Sequence, residues 1–263
     1  MTTVLCIPQW QGSASRSSSR LVAGARRTAE LVEAEAVVTV PVLETGGDKK
    51  GGIRALDALL ENLRLTRQAL AGIDETVITV GGDCGVDLAP IAEACARHGQ
   101  ALTVLWFDAH PDCYNAQTLP SGAFHGMVVR TLLGDGPAPL TPERLLAPEQ
   151  VVLAGVRTGD ATERDYIDET GIRTVSVRDI DSVLDGRTGP VYVHIDLDVL
   201  DPAEFASVCY PEPDGVASRR LIDLVSRLDN VVGAGVTEHA PADGAGSAGE
   251  AEIIRQLGAA LRG

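Results

Sequence analysis

Eight short runs rich in β-branched residues alternate along this chain with longer amphipathic stretches. The runs are Val4–Ile7, Val37–Val40, Val77–Val80, Leu102–Phe107, Val151–Ala154, Ile172–Ser176, Val191–Ile195 and Val231–Val236. The helical candidates between them include 16–35, 52–71, 88–98, 161–169, 218–228 and 249–261. Such alternation predicts βαβ units with right-handed crossovers. The result is an α/β fold with a mainly parallel sheet of roughly eight strands, covered on both faces. At 263 residues and 44% hydrophobic, the chain can bury a large core, and one domain over 1–263 is expected. In such folds ligands bind outside the C-terminal ends of the strands.

The chemistry of this chain gathers at those ends. Leu105–Asp112, LWFDAHPD, places Asp108, His110 and Asp112 at alternate positions directly after an apolar run. Residues two apart on an extended chain point the same way, so the three side chains can converge. Val191–Pro202, VYVHIDLDVLDP, ends a second strand in Asp196 and Asp198, with Asp201 beyond. The flanks of both clusters are too apolar for a solvated surface, which leaves strand-end capping as the alternative to a metal site. Carboxylates beside a single imidazole suit a borderline-hard ion such as Mn²⁺. Further strand-end features are GGD followed by Cys84, SGAFHGM around His125, VLAGVRTGDATE, and VTEHAP around Glu238.

These motifs, in this order and over nearly the whole chain, resemble the arginase and agmatinase (ureohydrolase) family. Its pattern runs GGDH, DAHxD, SGNxHG, DxDxxDP and a final Glu near the last strand. The resemblance implies a three-layer α/β/α fold and a centre of two Mn²⁺ per chain that hydrolyses a guanidino group to urea and an amine. It implies that Asp108 and Asp196 bridge the ions, that His110 and Asp198 complete one, and that Asp112 and Cys84 complete the other. Two ions sharing a water would yield hydroxide near neutral pH. Asp112 would hold the nucleophile's proton, His125 would shuttle one to the leaving amine, and Glu238 would pair with the guanidinium. Asp160 and Glu163 match positions that contact the substrate's α-amine in arginases, and equally suit a helix N-cap and first-turn acid. Ser121 keeps the serine of SGN.

Three departures stand out. Cys84 occupies a histidine ligand position, Tyr114 an asparagine position with Asn115 displaced by one, and Ala123 the asparagine of SGN. The amine end of a substrate thus looks supported and the carboxylate end altered. A cysteine ligand opens the site to Fe²⁺, Co²⁺ or Zn²⁺, and it is similar to the Nω-hydroxy-arginine hydrolases of the family. Agmatinase or guanidinobutyrase specificity, single-metal amide hydrolysis as in related deacetylases, and a non-catalytic paralogue are the alternatives.

A net charge of −15 argues against nucleic acid and anionic membranes as partners, and the resemblance implies a small guanidino compound as the partner. No apolar run approaches the ~20 residues of a membrane helix, and MTTVLCIPQW is unlike a signal peptide. Five cysteines without framework spacing fit a reduced cytoplasm. A homo-oligomer is compatible with the resemblance, but no interface is legible. His194 and His239 adjoin the site without being needed as ligands. Trp10 and QGSASRSSSR read as a loop before a helix rather than an active-site rim.

Overall fold

The computed structural model describes residues 2–186 and 188–263. Its strands are β1 (Thr2–Ile7), β2 (Ala36–Thr39), β3 (Thr76–Gly81), β4 (Thr103–Phe107), β5 (Val151–Ala154), β6 (Arg173–Val175), β7 (Val191–Asp196) and β8 (Val231–Thr237). They form one sheet in the order β2-β1-β3-β8-β7-β4-β5-β6, and every pairing is parallel. The helices are α1 (Arg20–Val32), α2 (Leu56–Leu70), α3 (Leu88–His98), α4 (Val128–Leu132), α5 (Ala161–Thr170), α6 (Ser218–Val225) and α7 (Ala248–Arg262). All eight predicted strands are present. Among the helices, only the short α4 had no counterpart in the expectations, because five residues are too few to display a helical period.

Alternation along the strands builds the three layers. Leu105 and Phe107 of β4 and Val193 and Ile195 of β7 face one way, into a core shared with Leu31 of α1, Leu221 of α6 and Ile254 of α7. Val104 and Trp106 of β4 and Tyr192 of β7 face the other way, against Leu59 of α2, Ile91 of α3 and Val128 of α4. Strands buried on both faces read as nearly continuous apolar runs, as parallel strands do.

The strand order explains where a ligand can sit. β3 and β4 follow one another in the chain, yet β8 and β7 lie between them in the sheet. Chain direction across the sheet therefore reverses at the centre, and a crevice opens above the C-terminal ends of these four strands. The loops carrying Cys84, Asp108 to Asp112, Asp196 to Asp198, and Glu238 leave from those ends.

The five cysteines are free, and four of them are buried. Among the described residues no helix is long and apolar enough to cross a membrane.

Just beyond β8, His239 is 1% exposed. Its Nδ1 lies 2.9 Å from Thr28 Oγ1 on α1, and its ring lies 5.5 Å from that of Phe205. Burial lowers its pKa to about 4. The unfolded chain, with a histidine near 6.5, binds the proton first, so stability is intact above pH 6.5 and falls as pH drops towards 4. The expected loss is about 3 kcal/mol over that window. It should be missing in His239→Asn, whose amide can replace Nδ1 opposite Thr28. Urea titrations at pH 7 and pH 4.5 check this, and equal pH sensitivity of the two proteins would contradict it.

Candidate metal centre and its cavity

After β4 the chain turns so that the His110 backbone N–H donates to Asp108 Oδ1 at 2.6 Å. His110 Nδ1 then lies 3.0 Å from Asp198 Oδ2 and 3.4 Å from Asp108 Oδ1. After β7, the Asp198 N–H donates to Asp196 Oδ1 at 2.8 Å, and Asp198 Oδ1 accepts from the Ala109 N–H at 3.1 Å. The two clusters thus lock onto each other. Cys84, in a 3-10 turn after β3, donates from Sγ to Asp196 Oδ2 at 3.1 Å. That turn is held by Asp83, whose buried carboxylate accepts from Gly85 N, Gly12 N and Gln9 Nε2.

Among the described residues, three sets have ligand atoms mutually within 4.8 Å: Asp108/His110/Asp198, Cys84/Asp196/Glu238 and Cys84/Asp108/His194. Asp108 and Cys84 each belong to two of them. His110 and Asp198, expected together, are brought together, whereas Cys84, expected beside Asp112, sits with Asp196 and Glu238 and with Asp108 and His194. Asp112 lies buried beside these sets rather than in them.

Asp112 and Glu238 are both non-glycine residues with left-handed backbone, at φ of 53° and 65°. Such conformations cost energy and cluster at ligand sites, where surrounding bonds impose them. Here the Val129 N–H donates to the Asp112 carbonyl, and the Glu238 N–H donates to the Gly82 carbonyl at 2.7 Å. Glu238 Oε1 lies 3.0 Å from His125 Nδ1. Glu238 Oε2 and Asp112 Oδ2 are buried with no hydrogen-bond partner.

The charges do not balance. Burial, reinforced by neighbouring carboxylates, pushes the Asp112 and Asp196 carboxyls well above the carboxylate range. Burial raises Asp108 to about 6. The Cys84 thiol is driven up by burial and then by Asp196, Asp112, Glu238 and Asp108. For Asp198 burial acts upward too, but His110 outweighs it and holds the group below its ordinary value. A buried cluster of acids with orphaned oxygens fits divalent cations, which would reverse these shifts and deprotonate the thiol.

A cavity of about 270 Å³ opens onto this cluster. His110, Asp112, His125, Asp196, Asp198 and Glu238 line it, together with Tyr114, Ser121, Ala123 and Glu163. Asn115 is not in the lining; its Oδ1 accepts from Gln117 N and Thr118 N in a local turn. Asp160 caps α5, accepting from Thr162 N at 2.8 Å and Glu163 N at 3.2 Å. Burial, and then the neighbouring Glu163 and Asp160 carboxylates, push the Tyr114 phenol above its ordinary value. Burial raises the Glu163 carboxyl to about 7.

Two contributors were not legible beforehand. Tyr210 lines the cavity, its ring 5.5 Å from that of His125 and 6.2 Å from that of His110. Arg157 donates to the carbonyls of Asp198 and Glu212 at 2.7 and 2.9 Å, tying the turn at Asp198 to the loop that carries Tyr210. Only the arginine in VLAGVR hinted at this. Ala14 also lines the cavity, so the serine-rich segment contributes to the rim after all.

A family model described as the arginase family matches residues 6–259. The chain belongs to the arginase family. An arginase of Bacillus caldovelox is 33% identical over 189 residues, covering 62% of this chain and 63% of that protein. An arginase of Staphylococcus aureus is 32% identical over 187 residues, covering 64% and 62%. The chain thus aligns with less than two thirds of these relatives' lengths. In fold, the Entamoeba histolytica arginase in complex with L-ornithine superposes with a TM-score of 0.87 at 21% identity, covering 100% of this chain and 98% of that one. Proclavaminate amidino hydrolase from Streptomyces clavuligerus does so with a TM-score of 0.71 at 22% identity, covering 99% and 90%. The arginase fold therefore spans the chain.

Proposed function

We propose that this arginase-family chain is a dinuclear-metal hydrolase that cleaves the guanidino group of an arginine-like substrate, releasing urea or a urea derivative and an amine. The observation that carries this reading is a cluster in which buried Cys84, Asp108, Asp112, Asp196, Asp198 and Glu238 gather with the half-buried His110, five of the seven lining one cavity. Divalent cations held there supply the Lewis acidity that makes water nucleophilic near neutral pH, and Mn²⁺ is the family's ion. Neither the single-metal amide hydrolase nor the non-catalytic paralogue is favoured by a ligand set this complete.

The chain's own residues divide the remaining work. Glu238 Oε2, buried and without a partner, is the acceptor for a guanidinium N–H. Its other oxygen orients His125 through Nδ1, leaving Nε2 to carry a proton to the leaving amine. Asp112 Oδ2, equally unpartnered, takes the proton released by the attacking water. At the substrate's tail the lining has carboxylate and phenol groups but no lysine or arginine, which favours a tail that carries an amine.

Mn²⁺-loaded protein incubated with arginine, agmatine, guanidinobutyrate and Nω-hydroxy-arginine, with urea and hydroxyurea measured directly, tests the reading. Release from at least one amine-bearing compound is expected, and release from none would overturn it. Asp160→Ala is expected to cost about 1 kcal/mol of stability as a lost helix cap and to raise KM only for amine-bearing substrates. An equal rise for guanidinobutyrate would confine Asp160 to capping.

A further inference from the structure

His194 stands on β7 two residues before Asp196, on the same face of the sheet. It is fully buried, at 0% exposure. Its register partner on β4 is Trp106, and the rings stack at 3.4 Å with 8° between their planes. On the other side, β8 brings Gly235 into register with His194. A Cβ at Gly235 would fall 1.8 Å from Asp87 Oδ2, so the glycine is what admits the Asp87 carboxylate. Asp87 Oδ2 lies 2.6 Å from His194 Nδ1, and Oδ1 accepts from the Tyr192 hydroxyl at 2.8 Å. The imidazole is thereby fixed in plane, in orientation and in tautomer, with hydrogen on Nδ1 and the lone pair on Nε2.

That lone pair is the unusual feature. Nε2 is buried and has no hydrogen-bond partner, a state that costs about 1–3 kcal/mol if nothing compensates. A histidine needed only for packing would not require a carboxylate to aim its second nitrogen. A ring nitrogen of His194 belongs to a set with Cys84 Sγ and an Asp108 oxygen, all within 4.8 Å of one another, and with Nδ1 engaged by Asp87 the nitrogen free to bind there is Nε2. An imidazole whose far N–H is held by a carboxylate is the usual second sphere of a metal-bound histidine.

We infer that His194, through Nε2, is a metal ligand alongside Cys84 and Asp108. The inference rests on the metal centre proposed above and departs from its assignment, in which His110 is the only histidine ligand. Where the family pattern has one histidine, after GGD, this chain supplies a thiolate from β3 and an imidazole from β7. A sulfur, nitrogen and oxygen donor set favours Co²⁺, Zn²⁺ or Fe²⁺ over Mn²⁺ at that position.

The probe is Co²⁺ titrated into the metal-free full chain. Wild-type protein is expected to show a near-ultraviolet thiolate-to-cobalt band. It should also show a hyperfine-shifted imidazole N–H proton in the NMR spectrum that exchanges slowly with water, since His194 Nδ1–H is sealed against Asp87. His194→Gln should lose that proton signal and weaken Co²⁺ binding at the position by roughly 100-fold, while Asp87→Asn should weaken it by about 10- to 100-fold. A wild-type protein that binds Co²⁺ through the thiolate but lacks the protected N–H signal would overturn the assignment, and that result needs no variant to fold. Urea release measured in parallel separates the two readings. Release without the signal refutes His194 ligation and leaves the hydrolase standing. The signal without release from any guanidino compound supports ligation and counts against the hydrolase.

Discussion

Asp108→Ala is expected to reduce the divalent-metal content of purified protein from about two ions per chain to well below one, and to lower kcat/KM by at least about a thousandfold. Asp108 has this leverage because it is shared. It belongs both to the set with His110 and Asp198 and to the set with Cys84 and His194. Removing it takes one negative charge from each position at once. Its Oδ2 also accepts from Trp106 Nε1 at 3.0 Å, so alanine additionally strands a buried N–H, a cost of about 1–3 kcal/mol. Asp108→Asn separates the effects, because an amide oxygen still serves Trp106 while the charge is gone. Metal analysis by mass spectrometry decides the matter. Two ions bound tightly in Asp108→Asn would remove Asp108 from the ligand set.

Glu238→Gln should leave metal content intact and lower kcat/KM by about 10²–10³, the range for loss of a charge-assisted contact to a buried cation plus an orienting partner. The amide retains an acceptor for His125 Nδ1–H, so the histidine's position survives. What disappears is the unpartnered charge at Oε2 that a guanidinium would meet. The contrast with Asp108 is the informative part, since one substitution empties the centre and the other silences a loaded one. Full activity in a metal-replete Glu238→Gln protein would refute the guanidinium contact.

The fold is most legible in the sequence where periodicity is local. The central strands were legible because β-branched runs buried on both faces leave little ambiguity, the mostly exposed edge strands β2 and β6 because of their β-branched residues alone, and α3 was legible end to end between Leu88 and His98. That the acids of DAHPD and HIDLD gather at one place was legible because alternate residues on a strand share a face. Asp160 and Asn115 are ambiguous in isolation: a short acid or amide after a strand serves a substrate or a turn equally well, and here both accept local backbone N–H groups.

From the sequence alone came the sheet, its parallel direction, the two acid clusters and the family resemblance, since each depends on residues within a few positions of one another. Only the tertiary structure decided which strands are neighbours. The order β3-β8-β7-β4 brings Cys84 to Asp196 across 112 positions of chain and His125 to Glu238 across 113. Strand register is likewise a long-range choice. It alone stacks His194 on Trp106, sets Gly235 beside it and lets Asp87 reach its ring. A histidine inside an apolar strand looks like any core residue until those neighbours are known, because its chemistry is settled by what lies across the sheet rather than along the chain.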